Sequence, residues 1–256
     1  MLDRLGVQLY TIRDQFQNAD DMRKAFARLR EIGYTCAQTA STFPFPCSSM
    51  EEYVSIANEY GIKIVGTHTS FEELEKDTDL AIAQHASLGC KFVGIGGFGW
   101  GITDAKEIYA YCDRVNRIAE KLGKAGMRFT YHHHSHEFIR LDNGERFIDI
   151  LERELDPKNT SFCVDTYWAQ NAGADVCAFL RRLEGRVDVL HLKDMDFGAD
   201  GSFYTEVGNG NMNFDAIIKT AEQIGVKWYI VEQDTCPGDP FESLKMSYDN
   251  LVKKYE

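Results

Sequence analysis

The 256-residue chain has no excess of positive charge, no C-x-x-C pair and no long apolar run. Its 40 aspartates and glutamates outweigh 28 lysines and arginines, for a formal charge of −12, which repels phosphate backbones and anionic membrane surfaces. Neither nucleic acid nor a membrane is therefore expected as a partner. The seven cysteines (Cys36, Cys47, Cys90, Cys112, Cys163, Cys177, Cys236) are odd in number and scattered, a usage that suits a reducing cytosol and reads as core packing. The segment from Met1 to Tyr10 runs into a strand-like stretch without the apolar run of a signal peptide or membrane span, so a cytoplasmic location is the expectation. No low-complexity linker interrupts the chain. No glycine-rich phosphate loop follows the first strand either, where Leu9-Tyr10-Thr11-Ile12-Arg13-Asp14 stands instead; this disfavours a doubly wound open sheet.

What is present is ordinary for a globular core: 44% hydrophobic and 12% aromatic residues. Such a core forms without disulfides or a structural metal, leaving any metal free for catalysis. A helix-like stretch ending in glycine and followed at once by a short apolar strand recurs five times, at Gly33, Gly61, Gly89, Gly126 and Gly225. Strand candidates fall at about 5–10, 34–39, 62–68, 90–96, 127–133, 160–166, 187–192 and 228–232, with helical patterns between them. A helical stretch at roughly 240–254 follows the eighth. Eight β/α units predict a single (β/α)8 TIM barrel occupying 1–256 as one domain.

Catalytic groups of such a barrel project from the C-terminal ends of its strands. Polar residues close otherwise apolar strands at Gln8, Gln38, His68, His132, His134, Asp165, His191 and Glu232. Side chains alternate faces along a strand, so outward-packed Phe129 and Tyr131 turn Thr130, His132 and His134 inward and His133 away. The series Val187, Val189, His191 and Trp228, Ile230, Glu232 each finish an apolar face with one metal-capable group, and Asp165 ends the sixth strand in the same way. His132, Asp165, His191 and Glu232 are thus the candidate ligands of one divalent ion, with coordination positions left for a substrate. Mixed imidazole and carboxylate suits Mn, Zn, Co or Fe better than Mg. A hydrogen-bonded polar mouth is the plain alternative. Trp168 and Phe138 are candidates for an apolar wall under a sugar ring, or simply for core packing.

The phrases Leu5-Gly6-Val7-Gln8-Leu9-Tyr10-Thr11-Ile12-Arg13-Asp14, Tyr131-His132-His133-His134-Ser135-His136-Glu137-Phe138, Val164-Asp165-Thr166-Tyr167-Trp168-Ala169, His191-Leu192-Lys193-Asp194, Glu206-Val207-Gly208-Asn209-Gly210 and Val231-Glu232-Gln233-Asp234 together carry a family resemblance. Over essentially its whole length the chain resembles the sugar phosphate isomerase/epimerase family, whose xylose-isomerase-like barrel belongs with the AP-endonuclease-2-like superfamily. The resemblance implies a divalent ion on the last four strands, with Asp165, His191 and Glu232 carried over directly. Many members place a glutamate on the fifth strand; His132 stands there, as in the subgroup with a Tyr-His-Asn-His-type phrase, and His133 replaces its asparagine. Epimerases of the family use two metal-bound glutamates, one on each side of the substrate carbon. Only Glu232 remains here, which leaves His132 as ligand or base and Glu137 or His134 as candidates for the second proton-transfer group.

The leading expectation is a metal-dependent isomerase or epimerase acting on a ketose or keto-sugar by proton abstraction next to a carbonyl, with Glu232, His132 and Glu137 as catalytic candidates. Elimination by a dehydratase or lyase on a keto-sugar or keto-inositol is the alternative. Gln8, His68, His134, Trp168 and Lys193 are candidate substrate contacts; His68 and Lys193 orient substrate oxygens or form structural pairs, with Asp194 in the case of Lys193. An abasic-site endonuclease is disfavoured by the neutral or acidic segments after strands five, six and eight. A non-catalytic sugar-binding barrel remains a third class. The last loop, Cys236-Pro237-Gly238-Asp239-Pro240, offers no arginine or glycine-rich nest, favouring an unphosphorylated sugar. A homo-oligomer is compatible with exposed barrel helices.

Overall fold

The computed structural model describes residues 1–255; Glu256, the last residue of the expected domain span, lies outside them. Its strands are β1 (Leu5–Gln8), β2 (Cys36–Thr39), β3 (Lys63–Thr69), β4 (Phe92–Ile95), β5 (Arg128–His132), β6 (Thr160–Asp165), β7 (Val187–Leu192), β8 (Asp194–Gly198), β9 (Gly201–Thr205) and β10 (Trp228–Val231). The helices are α1 (Ala19–Ile32), α2 (Met50–Glu59), α3 (Phe71–Lys76), α4 (Thr78–Ser87), α5 (Ala105–Lys124), α6 (Phe147–Glu154), α7 (Thr166–Asn171), α8 (Val176–Arg182), α9 (Phe214–Gln223) and α10 (Pro240–Tyr255). Eight strands close a parallel barrel in the order β1-β10-β7-β6-β5-β4-β3-β2, which is the expected (β/α)8 architecture. The eight barrel strands lie at the apolar segments expected from the sequence, and all five cap glycines adopt positive φ. No helix among the described residues is long and apolar enough to cross a membrane.

One element departs from the eight-unit plan. Strands β8 and β9 form an antiparallel hairpin after β7, outside the barrel. The expected plan of strands with helical patterns between them does not include it, and Asp194 organises it: that carboxylate accepts from the backbone N–H groups of Met195, Gly208, Gly210 and Met212. One buried acceptor thereby fixes both the start of the hairpin and the turn that follows it.

The core has two parts. Most apolar side chains fill the shell between barrel and helices, while Cys36, Val65, Cys163, Val189 and Ile230 form a small plug inside the barrel. A polar layer of Gln8, Gln38, His68, His132, Asp165, His191 and Glu232 sits at the C-terminal strand ends, all of it buried. Register shifts at Ala37/Gln38 in β2 and Phe162/Cys163 in β6 lie just before the residues that enter this layer, and such irregularities re-aim side chains near a barrel rim. After the shift in β6, Asp165 is the direct register partner of His191.

Gly94 in β4 makes room for that layer. A Cβ there would lie 2.3 Å from the Thr67 backbone carbonyl, 3.1 Å from that of Thr130 and 3.4 Å from the His68 ring. Backbone cannot yield as a flexible side chain does. Gly94→Ala is accordingly expected to destabilise the fold by about 1–3 kcal/mol through overpacking, read as a lowered urea midpoint; an unchanged midpoint would show that β3 and β5 can part without cost.

Candidate metal centre and active site

His132 ends β5 pointing inward because Tyr131 is packed outward in the core against Tyr111 of α5. Its Nδ1 lies 3.2 Å from the Gly96 carbonyl oxygen, a contact that needs the proton on Nδ1. The lone pair is then on Nε2, which is buried, has no hydrogen-bond partner and lies 3.6 Å from Asp165 Oδ2. Asp165 ends β6 and also caps α7, its Oδ1 accepting from the Trp168 N–H at 2.9 Å. Its second oxygen, Oδ2, is buried without a hydrogen-bond partner. The two orphaned atoms face each other.

His191, on β7, completes the set. Its Nε2 is 2.6 Å from Gln38 Oε1, an acceptor, so Nε2 carries a proton. Its Nδ1 faces Glu232 Oε2 at 2.7 Å and Asp165 Oδ2 at 3.6 Å. Gln38 is itself held by Gln8, whose Nε2 donates to Gln38 Oε1 at 3.1 Å and lies 3.4 Å from His68 Nδ1. His132, Asp165, His191 and Glu232 offer donor atoms all within 4.8 Å of one another, every residue buried. This is a buried His/Asp/Glu cluster capable of coordinating a metal ion, and its two orphaned atoms fit that use.

The electrostatics are those of carboxylates removed from water. Burial by itself would raise Asp165, but Lys193 and the His191 imidazole hold it well below the usual carboxylate range. Glu232 is pushed down in the same way by Lys193 and His191 against its burial. Burial also opposes charge on His191, yet Cys163, Glu232 and Asp165 hold it well above its ordinary value. The Lys193 ammonium, likewise raised against its burial, touches Asp234 at 2.7 Å, Glu232 at 3.1 Å and Asp165 at 3.4 Å. The rings of Trp168 and Tyr204 each lie 5.3 Å from it. Asp194, the partner considered from sequence, is occupied with backbone amides instead.

Above the cluster opens a cavity of about 650 Å³ whose lining includes His68, His132, His134, Lys193 and Glu232. His68 and His134 are driven towards the neutral form by burial, His134 down to about 2. Trp168 stands behind His134 and Lys193, ring to ring with His134 at 5.2 Å. Phe138 packs away from the cavity, against His133 and Phe179. Glu137 is not brought to the cavity either: the turn His136–Phe138 carries it back behind β5, where it accepts from the Tyr131 hydroxyl at 3.0 Å and the His134 N–H at 2.7 Å.

Four residues of the site were not singled out as site residues from sequence. Asp234 follows Glu232 by two, and the same alternation that selected Glu232 would have reached it. Cys163, read as packing, precedes Asp165 by two and groups with His68 and His191. Tyr204 arrives on the unexpected hairpin. Arg13 lines the cavity from the turn after β1.

Fold and site together define a metal-capable (β/α)8 barrel with its chemistry at the C-terminal mouth. The model of the xylose isomerase-like TIM barrel matches residues 26–247, and the chain belongs to that family. Among curated relatives, the inosose dehydratase of Geobacillus thermodenitrificans is 29% identical over 51% of this chain, which spans about half (49%) of that protein. The inosose dehydratase of Geobacillus kaustophilus is 25% identical over 91% of this chain and 85% of its own length. A sugar phosphate isomerase/epimerase from Parabacteroides distasonis superposes with a TM-score of 0.81 at 24% identity, covering 96% of this chain and 92% of its own. The family is consistent with metal-assisted isomerase, epimerase or dehydratase chemistry on keto-sugars.

Glu137 yields a prediction for stability. Burial raises its carboxyl from 4.5 to about 8 despite the amide and hydroxyl donors that favour its charge. The folded protein then holds a proton that the unfolded chain has released, so stability falls as pH rises from about 5 to about 8. Urea midpoints across that window are expected to decline in the wild type and to lose this component in Glu137→Gln; parallel declines in both proteins would assign the slope to other groups.

Proposed function

We propose that the protein is a metal-dependent dehydratase of a keto-polyol of the keto-inositol or keto-sugar type. Sequence reading ranked isomerisation ahead of elimination; the arrangement of acid and base favours the reverse. The observation that carries this reading is the pairing of Glu232 and Lys193, an anion and a cation 3.1 Å apart that line one cavity. The relatives named inosose dehydratases support the same reaction class.

His132, Asp165, His191 and Glu232 would hold the ion, and their mixed nitrogen and oxygen set suits Mn, Zn or Co better than Mg. When bound, a divalent ion supplies Lewis acidity that stabilises negative charge on a carbonyl oxygen. Glu232, kept ionised by its neighbours, accepts the proton from the carbon next to that carbonyl. The C–H electron pair forms the new C=C bond, and the C–O bond one carbon further on breaks with its pair. Lys193 donates a proton to the departing oxygen, which leaves as water, and Asp234 at 2.7 Å holds the lysine during the transfer. Neutral His68 and His134, which line the same cavity, would contact substrate oxygens. Epimerisation needs a second base on the other face of the substrate, and β5 presents the imidazole of His132 in place of a glutamate.

Elemental analysis of purified protein after exposure to Mn, Zn and Co is expected to give about one ion per chain in the wild type and little in Asp165→Ala and His191→Ala. Lys193→Met should retain metal yet dehydrate a keto-inositol at least about a hundredfold more slowly, the scale of a lost proton-transfer group, followed by enone absorbance. Folded wild type without metal sinks the mechanism. Solvent deuterium exchange into a recovered, undehydrated ketose would return isomerisation to first place.

A further inference from the structure

Arg13 belongs to the turn Leu9–Gln15 directly after β1. Packing explains most of that turn: Leu9 and Ile12 are core, and Thr11 Oγ1 accepts the Gln233 N–H at 3.1 Å, fastening the first loop to the last. Arg13 Nη1 donates to the carbonyls of Tyr10 at 2.9 Å and Asp234 at 3.0 Å, and the guanidinium carbon lies 4.2 Å from the centroid of the Tyr10 ring. These contacts use one nitrogen and one face of the guanidinium, and they hold it still. Among the described residues its Nε and Nη2 donate to no protein group, and no carboxylate pairs with it.

The other cation lining the cavity, Lys193, touches three carboxylates. A chain with 40 acidic residues against 28 basic ones has counter-charges to spare, yet this half-buried, immobilised guanidinium has none. A planar fork with two free donors matches the two oxygens of a carboxylate.

We propose that Arg13, held beside Asp234 on the β1 side of the cavity, anchors a carboxylate on the substrate, which makes the substrate a keto-polyol acid. The inference rests on the reading above for placing the ketone end at Glu232 and Lys193. A phosphate fits less well. Phosphate sites gather several donors in a backbone nest or at a helix terminus, whereas among the described residues Arg13 is the one cation of this lining free of carboxylates. Lys193 is held by three of them, and the other polar groups are imidazoles, hydroxyls such as Ser41, Thr42 and Ser70, and the carboxylates of Glu232 and Asp234.

The test is calorimetric titration of the metal-loaded protein with D-glucuronate, D-glucose and glucose 6-phosphate, repeated with Arg13→Gln and Arg13→Lys of unchanged melting temperature. Wild type is expected to bind glucuronate at least about tenfold more tightly than glucose, the scale of a charge-assisted bidentate contact. Arg13→Gln should abolish that preference with glucose affinity unchanged, and Arg13→Lys, which keeps the charge without the fork, should restore only part of it. Equal binding of the two sugars overturns the proposal, including no binding of either. So does a glucuronate preference that survives Arg13→Gln, which would place the carboxylate on the metal or Lys193, or tighter binding of the phosphate ester. Because binding is read without turnover, failed dehydration and a failed anchor remain separate results.

Discussion

Asp165 and Glu232 are negative charges taken out of water, and the mouth of the barrel is organised around keeping them charged. An unpaired buried carboxylate takes up a proton sooner than stay ionised. Here the ammonium of Lys193 and the imidazole of His191 contact both of them, and each group holds the others in their charged forms. Even so, the pairing leaves Asp165 Oδ2 and His132 Nε2 without a hydrogen bond. A centre satisfied by the protein alone would not strand an acceptor and a lone pair face to face, and this mismatch is the strongest physical argument that the cluster is built for a cation from outside the chain.

Holding that cluster together places demands on the fold beneath it. The donors come from four neighbouring strands, so their separation is set by barrel register and not by any one loop. The shift before Cys163 puts Asp165 level with His191, and the shift before Gln38 accompanies a side chain that accepts from His191 Nε2 and so keeps Nδ1 turned towards Asp165 and Glu232. Gly94 keeps β4 free of a side chain where His68 crosses it. Each of these features concerns the direction of one polar group.

The period-two rule explains how much of this was legible in advance. The recurring helix–glycine–apolar strand phrase located the barrel strands, and parity brought His132, Asp165, His191 and Glu232 to one face, because a strand residue's direction follows from it alone. Parity stopped being useful where strands end. Glu137 follows β5 by five residues but lies in a turn that reverses behind the strand, so sequence proximity to His132 says nothing of its direction. The hairpin β8–β9 was illegible for a different reason: its order comes from the tertiary hydrogen bonds of Asp194, which leave no periodic trace. Lys193 lay in a recognisable phrase, but its three carboxylate contacts come from β6, the end of β10 and the loop after it, and only the folded chain reveals them.

The histidine at the end of β5 has a consequence for the proposed chemistry. Exchanging a carboxylate for a neutral imidazole removes one negative charge from a low-dielectric site, where charge is felt most strongly. With His132 and His191 beside Asp165 and Glu232, the residues that would hold an ion carry two negative charges instead of three, and an ion bound there would supply stronger stabilisation of charge on a carbonyl oxygen. The same exchange removes a base from one face of the substrate. With Glu232 as the one glutamate left to move a proton, Lys193, 3.1 Å from that carboxylate, would be the group placed to protonate a leaving hydroxyl. In this reading one substitution raises the acidity of the substrate and diverts its fate from reprotonation on the far face towards loss of water.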